Sequence, residues 1–376
     1  MKKYFFVTIF VLSFLQSFAQ QNDTIKLDTI TVENIDTVEI VDTVQISHLL
    51  DTIKIAAVGD IQMGTAYPNG EFLPSFDPVM LFKNVLPFFN GSDIVFGNLE
   101  GALTDNLSQV KSCSNPTLCY FFGMPTKYAA SLKNAGFNLL SIANNHLGDF
   151  GDIGRKSTQK ALKDNGLHFA GLTDCAVDTF TVNNVRYGFC AFAPNTGTID
   201  VRKIDEAQKI VQELKTVSDI VIVSFHAGGE GKDFQHVTRK TEICFGENRG
   251  NVYQFAHSMI DAGADVLLGH GPHVTRGIEV YKNRFIAYSM GNFCTYARVS
   301  ISGVNGLAPL FQIYTQKDGT FLKAQIIPTS QLRREPVQYD TQNRVIEVIK
   351  NLTFNDFPEM KSVIEISNEG EIKLKK

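Results

Sequence analysis

Five short clusters of metal-ligand residue types recur along this 376-residue chain. They are Asp60 in VGDIQMG, Glu100 in GNLEG, Asn144, Asn145 and His146 in ANNHLGDFG, His226 with Glu230 in HAGGE, and His270 with His273 in GHGPH. Carboxylates can bridge two cations and lower their repulsion. Neutral imidazoles suit Zn, Mn or Fe, and an Asn carbonyl adds an uncharged oxygen. Such a mixed set is the donor chemistry of a hydrolytic site holding one or two divalent ions. A Cys-rich structural zinc site is the poorer reading, because none of the six Cys stands in a CxxC pair. Each cluster alone is weak. An Asp after a strand commonly caps a turn, a lone His is more often a hydrogen-bonded structural residue, and Glu100 by itself reads as a surface charge. The joint occurrence carries the reading, since chance would produce it on the order of once in twenty proteins without a site.

Each cluster follows an apolar run: IKIAAVGD, DIVFGNLE, NLLSIANNH, IVIVSFHAGGE and DVLLGHGPH. Strands this apolar are covered on both faces, as in layered α/β folds, and ligands in such sheets gather at the carboxyl ends of the strands. Between them the pattern predicts helices over Thr126–Ala135, Ile153–Asn165, Ile204–Thr216 and Val252–Ala262, three of them closed by Gly136, Gly166 and Gly263. The runs IEVYKNRFIAYSMGNF and APLFQIYTQKDGTFLKAQIIP predict hairpins, the second turning at residues 317–319. After about residue 330 the pattern predicts an irregular tail, 331–376, with a short helix near Gln342–Lys350.

The remaining composition bounds the class. The chain is 44% hydrophobic and 20% charged, enough apolar surface for one large domain with appendages. Its 35 Lys plus Arg against 39 Asp plus Glu, net charge -4 and no basic run, argue against nucleic-acid binding. Lys2 and Lys3, the apolar stretch Tyr4–Leu15, and the small residues Ser17 and Ala19 predict a signal peptide over 1–19 and a mature terminus at Gln20. An uncleaved anchor is the rival. The expected location is therefore outside the cytoplasm, in a periplasm or at the cell surface, with no later segment apolar enough to span a membrane. Residues 20–51 repeat Asp-Thr-Ile/Val at Asp23, Asp28, Asp36, Asp42 and Asp51, which predicts an extended acidic linker, with added edge strands as the rival. The main domain is expected over 52–330. In an exported chain, Cys113 and Cys119 in the loop SCSNPTLCY are expected to form a disulfide, while Cys190 in YGFCAF reads as a buried thiol.

Taken together, VGDIQMG, FGNLEGALT, GFNLLSIANNHLGDFG, HAGGE and GHGPHV with GIEVYKNRFIAYSMGNF resemble the CapA family. That family is named for poly-γ-glutamate capsule synthesis and belongs to the calcineurin-like metallophosphoesterase superfamily. The pieces cover about residues 53–295 in the family's order. The resemblance implies an α/β/β/α sandwich of the metallo-dependent phosphatase type, four layers with two central sheets. It implies Asp60 as the first metal aspartate, Glu100 as the acidic position bridging the metals, and Asn145 as the metal-binding Asn. His146 would assist at the leaving group, and His226, His270 and His273 would be the later imidazole ligands. It further implies an anionic polymer or phosphoester substrate and capsule-synthesis membrane subunits as partners. Three positions depart from the wider superfamily: Gln62 stands where a second ligand His is usual, Asn144 where Gly is usual, and His270 and His273 are three rather than two apart, with Pro272 between. Gln62 is a poor ligand for a transition metal, so occupancy by two ions is in question.

Other residues are read from their chemistry. Asp149 either orients His146 or caps the next helix. Glu230, Glu247 and Arg249, with Arg276 in HVTRGIE, are candidates to hold an anionic substrate, because Arg binds carboxylate or phosphate through paired hydrogen bonds. A structural ion pair is the competing reading for both arginines. Asn292 in SMGNF is a pocket or a turn residue. Two functional classes follow. One is a metal-dependent hydrolase of a phosphoester or γ-glutamyl bond; the other is a non-enzymatic accessory subunit that binds polymer.

Overall fold

In the computed structural model of the chain, the structure describes residues 52–112 and 119–375. The expected signal peptide (1–19), the acidic linker (20–51) and Cys113 lie outside the described residues. Cys119 is disulfide-bonded, and Cys175, Cys190, Cys244 and Cys294 are free.

The first apolar run becomes the strand Thr52–Gln62, buried on both faces from Ile55 onward. Ile94–Leu99 pairs with it in parallel on one side, and Leu307–Gln316 pairs antiparallel on the other. The antiparallel partner leaves after Val58, and Asn292–Thr295 takes over that edge in parallel, setting Asn292 beside Asp60. Gly59 permits this exchange: a Cβ there would run into the carbonyl of Gly291, to which the Asp60 N–H donates at 2.9 Å. The sheet continues through Leu139–Ser141 and His168–Ala170 on one flank and Phe321–Ser330 on the other.

The second sheet runs Ile278–Tyr281, Arg284–Ala287, Val266–His270, Ile220–His226, Val185–Phe192, Val177–Val182. Its three central pairings, which include Val266–His270 on Ile220–His226, are parallel. The two sheets share one core. Ile55, Ile94 and Phe96 of the first pack with Phe189, Ile222 and Leu267 of the second. Phe96 meets Phe189 edge-on at 5.9 Å and Phe285 meets Phe311 at 5.4 Å. Each Phe so buried contributes about 1.5–3 kcal/mol of transfer free energy.

Helices cover the outer faces. Ile204–Val217 presents Ala207, Val211 and Leu214 to the second sheet, where Val252–Asp261 lies beside it with Phe255, Ala256 and Met259 buried. Pro78–Phe82, Tyr128–Asn134 and Gly151–Asp164 bury Leu81, Phe82, Leu132 and Leu162 in a second core with Val58, Val95 and Leu140 of the first sheet. The order is thus helices, sheet, sheet, helices. The expected hairpins are present, with Lys282 and Asn283 both at positive φ (48° and 59°) in the two-residue turn of the first, the conformation that matches strand twist.

After residue 330 the expected helix near Gln342–Lys350 is present and longer, and the rest of the segment is more regular than the tail expected. Arg344–Asp356 is a helix that packs on both long strands of the second hairpin and on Ile278–Tyr281. Ile364–Ile366 and Glu371–Leu374 then extend the first sheet beyond Phe321–Ser330. These strands are three and four residues long, too short for an alternation pattern to stand out. Among the described residues no helix is long and apolar enough to cross a membrane.

Candidate metal centre

The parallel pairings bring the five clusters to one end of the two sheets. Asp60 lies near the end of its strand, Glu100 just past Leu99, and Asn144–His146 just past Ser141. His226 and His270 are the last residues of two neighbouring strands and stand directly opposite each other. His273 follows in a sharp turn, with φ at 56°.

Asp60 is the hub. Its Oδ1 accepts from His270 Nδ1 at 3.1 Å and from Asn98 Nδ2 at 2.8 Å, and its Oδ2 accepts from His273 Nδ1 at 3.2 Å. Glu100 Oε1 lies 3.5 Å from His273 Nε2 and 3.8 Å from His226 Nε2. Asp60, Glu100 and His273 offer ligand atoms within 4.8 Å of one another. The strong electrostatics follow from burial. Desolvation acts to raise the Asp60 carboxyl, but the hydrogen bonds from His270 and His273 outweigh it and hold Asp60 well below the usual carboxylate range. Glu100 has no such donors, so burial pushes it well up. Burial drives His226 well below the usual imidazole value, and burial on His273 is overturned by Glu100 and Asp60, which raise it.

A metal ion fits these residues on one observation. Glu100 Oε1, Asn145 Oδ1, His226 Nε2 and His270 Nε2 are all buried with no hydrogen-bond partner. Buried polar atoms are almost always paired, and each orphan costs about 1–3 kcal/mol. Here all four are oxygen or imidazole donors, the types that bind Zn, Mn or Fe.

The adjacent asparagines divide the work. Asn144 Oδ1 accepts from the N–H groups of His146 and Leu147, and its Nδ2 donates to Asn98 Oδ1 and Leu99 O. It braces the turn, while the side-chain oxygen of Asn145, Oδ1, stays unclaimed. Beside them, His146 Nδ1 is 2.9 Å from Asp149 Oδ2, which also accepts from Phe122 N at 2.8 Å, while Lys111 Nζ pairs with Asp149 Oδ1. Asp149 therefore orients His146. A cavity of 220 Å³ is lined by Glu100, Asn145, His146, Glu230, His273 and Asn292 among others. A second, of 660 Å³, adjoins it through Asn145, His146 and Glu230 and reaches Glu247 and Arg249. Arg249 pairs there with Glu230 at 2.9 Å and Glu247 at 3.1 Å. Asn292 Oδ1 accepts from His273 Nδ1 at 3.1 Å and so steadies that ring.

One expected substrate residue is elsewhere. Arg276 is fully buried in a two-pronged pair with Glu242, at 2.9 and 2.7 Å, and it also donates to Phe234 O. Every prong is used inside the fold, so the structural ion pair is the correct reading. Asn98, by contrast, escaped the sequence reading. It lies opposite Asp60 on the next strand, and its place two residues before Glu100 in GNLE was the available signal.

A profile described as bacterial capsule synthesis protein PGA_cap matches residues 54–297. The chain is 30% identical over 264 residues to the capsule biosynthesis protein CapA of Bacillus anthracis, covering 65% of this chain and 60% of that protein. It is 31% identical over 260 residues to the PGA biosynthesis protein CapA of Bacillus subtilis (strain 168), covering 65% and 63%. A probable polyglutamine synthesis accessory protein of Mycobacterium tuberculosis is 26% identical over 227 residues, covering 54% of this chain and 55% of that one. The chain thus spans about three-fifths of the length of the first two relatives. Among solved structures, a putative 5'-nucleotidase from Staphylococcus aureus aligns at 14% identity and TM-score 0.41, covering 77% of this chain and 53% of that one. A hypothetical protein from Thermus thermophilus aligns at 13% identity and TM-score 0.47, covering 74% and 100%. The profile match runs from the first strand past Asn292, over well more than half of the chain, and the chain belongs to the bacterial capsule synthesis protein PGA_cap family.

Proposed function

We propose that the chain is an exported metal-dependent hydrolase of capsule or polyglutamate metabolism, cleaving a phosphoester or γ-glutamyl bond. The observation that carries this is the set of four buried, unpartnered ligand atoms near Asp60 and His273, two of them on Glu100 and Asn145, which line the same cavity as His146. The two packed sheets with helices outside and ligands at strand ends support the metallo-dependent phosphatase type of sandwich.

Asp60, Glu100, Asn145, His226, His270 and His273 would hold a divalent cation. Such a cation supplies Lewis acidity and lowers the pKa of a bound water. The chain's own residues supply the rest. His270 donates Nδ1–H to Asp60, which keeps its Nε2 lone pair free, the usual orientation device for a ligating His. His146, held at Nδ1 by Asp149, has Nε2 left to give a proton to a leaving group in the cavity. Glu230 and Arg249 border the substrate side.

A second reading, a polymer-binding accessory subunit, is favoured by the word accessory in the name of the mycobacterial relatives. Metal content of the purified protein and a screen of phosphoesters and γ-glutamyl polymers separate the two. For a hydrolase, His146→Ala keeps its metal and loses on the order of 10² or more in rate, whereas Asp60→Ala loses metal and rate together. A metal-loaded His146→Ala variant with unchanged activity would remove the hydrolytic role.

A further inference from the structure

Three arginines line the two cavities, and their pairing differs. Arg155 donates to Asp152 and to the Thr196 carbonyl, and Arg249 is held by Glu230 and Glu247. Arg298 makes no hydrogen bond and no ion pair among the described residues, and its Nε is buried without a partner. Its guanidinium is instead held between two rings, 5.0 Å from the centroid of Phe72 and 5.5 Å from that of Tyr120. Its backbone sits at φ 67°, in the left-handed region that a non-glycine residue rarely adopts. Attraction of the cation to the ring faces spends none of its N–H groups. On the same cavity stands Gln62, 1% exposed, whose amide nitrogen and oxygen are both buried and unpartnered. Gln62 is two residues beyond Asp60 on one strand, so both side chains point to the same side of the sheet.

We propose that Arg298 and Gln62 form a subsite for an anionic oxo group, a carboxylate or a phosphate, on the molecule bound at the metal centre. The proposal rests on the hydrolase reading for what that molecule is, but not for the subsite's chemistry. A planar fork without a carboxylate partner, on the same cavity as a buried amide N–H, offers donors for two oxygens of one anion. The Lys111, Arg155 and Arg249 charges are already countered, so they discriminate less. The subsite lies on the Asn292 and Thr295 side of the centre, whereas Arg249 lies on the Asn195 and Thr196 side.

The test is calorimetric binding to the metal-loaded full chain. The probes are γ-linked triglutamate, the same peptide with every carboxyl amidated, and glycerol phosphate. Arg298→Gln should weaken the anionic probe that fits by roughly tenfold to a hundredfold, the range of a charge-assisted hydrogen bond, and leave the amidated peptide unchanged. Whichever of triglutamate and glycerol phosphate is weakened names the source of the anion. Metal content should stay at the wild-type level. Wild-type affinity of Arg298→Gln for both anionic probes overturns the subsite, even if hydrolysis dependent on His146 is found. A chain that hydrolyses nothing, yet loses the anionic probe on Arg298→Gln, overturns the hydrolase reading and keeps the subsite. Should Arg298→Gln fail to fold, Gln62→Met carries the same test, with an expected weakening of about fivefold from one neutral hydrogen bond and no change taken as refutation.

Discussion

Truncating Arg276 to alanine should destabilise the fold by about 3–5 kcal/mol, the cost of breaking a buried ion pair from one side. Arg276 is 1% exposed and gives three hydrogen bonds, to Glu242 Oε1, Glu242 Oε2 and Phe234 O. Without it, the Glu242 carboxylate stays buried with only the Gly229 N–H, at 2.7 Å, as donor among the described residues. The loop that this pair anchors also carries Glu230, whose N–H reaches Cys244 Sγ at 3.4 Å. Glu242→Leu alone should cost a similar amount, because it strands the guanidinium. Arg276→Met with Glu242→Leu should cost much less than the two singles together, since an apolar pair of similar volume leaves no charge uncompensated. Urea denaturation of wild type, Arg276→Met, Glu242→Leu and the double variant gives the cycle, with an unchanged slope as the check that the denatured state is the same. A loss below about 1 kcal/mol for Arg276→Ala, or strictly additive singles, would refute the structural role. Weaker substrate binding at unchanged stability would return Arg276 to the substrate side.

Two further outcomes are expected. Asn98→Ala removes one of the two donors on Asp60 Oδ1 and an acceptor for Asn144, and should lower metal affinity by about 10–100-fold in a competition titration, with wild-type affinity counting against the arrangement. The Arg186 guanidinium and backbone N–H hold Asp219 at about 2, below its usual 3.8, so this contribution is complete above that usual value and is lost as pH falls toward 2. The stability gap between wild type and Asp219→Asn should therefore shrink on acidification from pH 4 to pH 2 in thermal melts, and a gap that widens would show the sign to be wrong.

What the amino-acid sequence determined by itself is the set of strand ends and the residues on them. Apolar runs such as IVIVSFH and DVLLGH can only be buried on both faces, and the first polar residue after each must face the crevice at the sheet's carboxyl edge. Asp60, Glu100, His226 and His270 were therefore legible, as were the helices closed by Gly136, Gly166 and Gly263. The helix after residue 330 was legible too, though not its length, whereas the two short strands beyond it were not, because three or four residues carry no readable period. Nor were the pairings that tune the site. Asn98 and Asn292 flank Asp60 only because two parallel strands, one from far later in the chain, fall into that register. Arg276 and Arg298 look alike in sequence, each an arginine a few residues past a site motif. Tertiary structure alone places Glu242 against the first and, among the described residues, aromatic rings without a carboxylate against the second, since a carboxylate partner 34 positions away leaves no local signature.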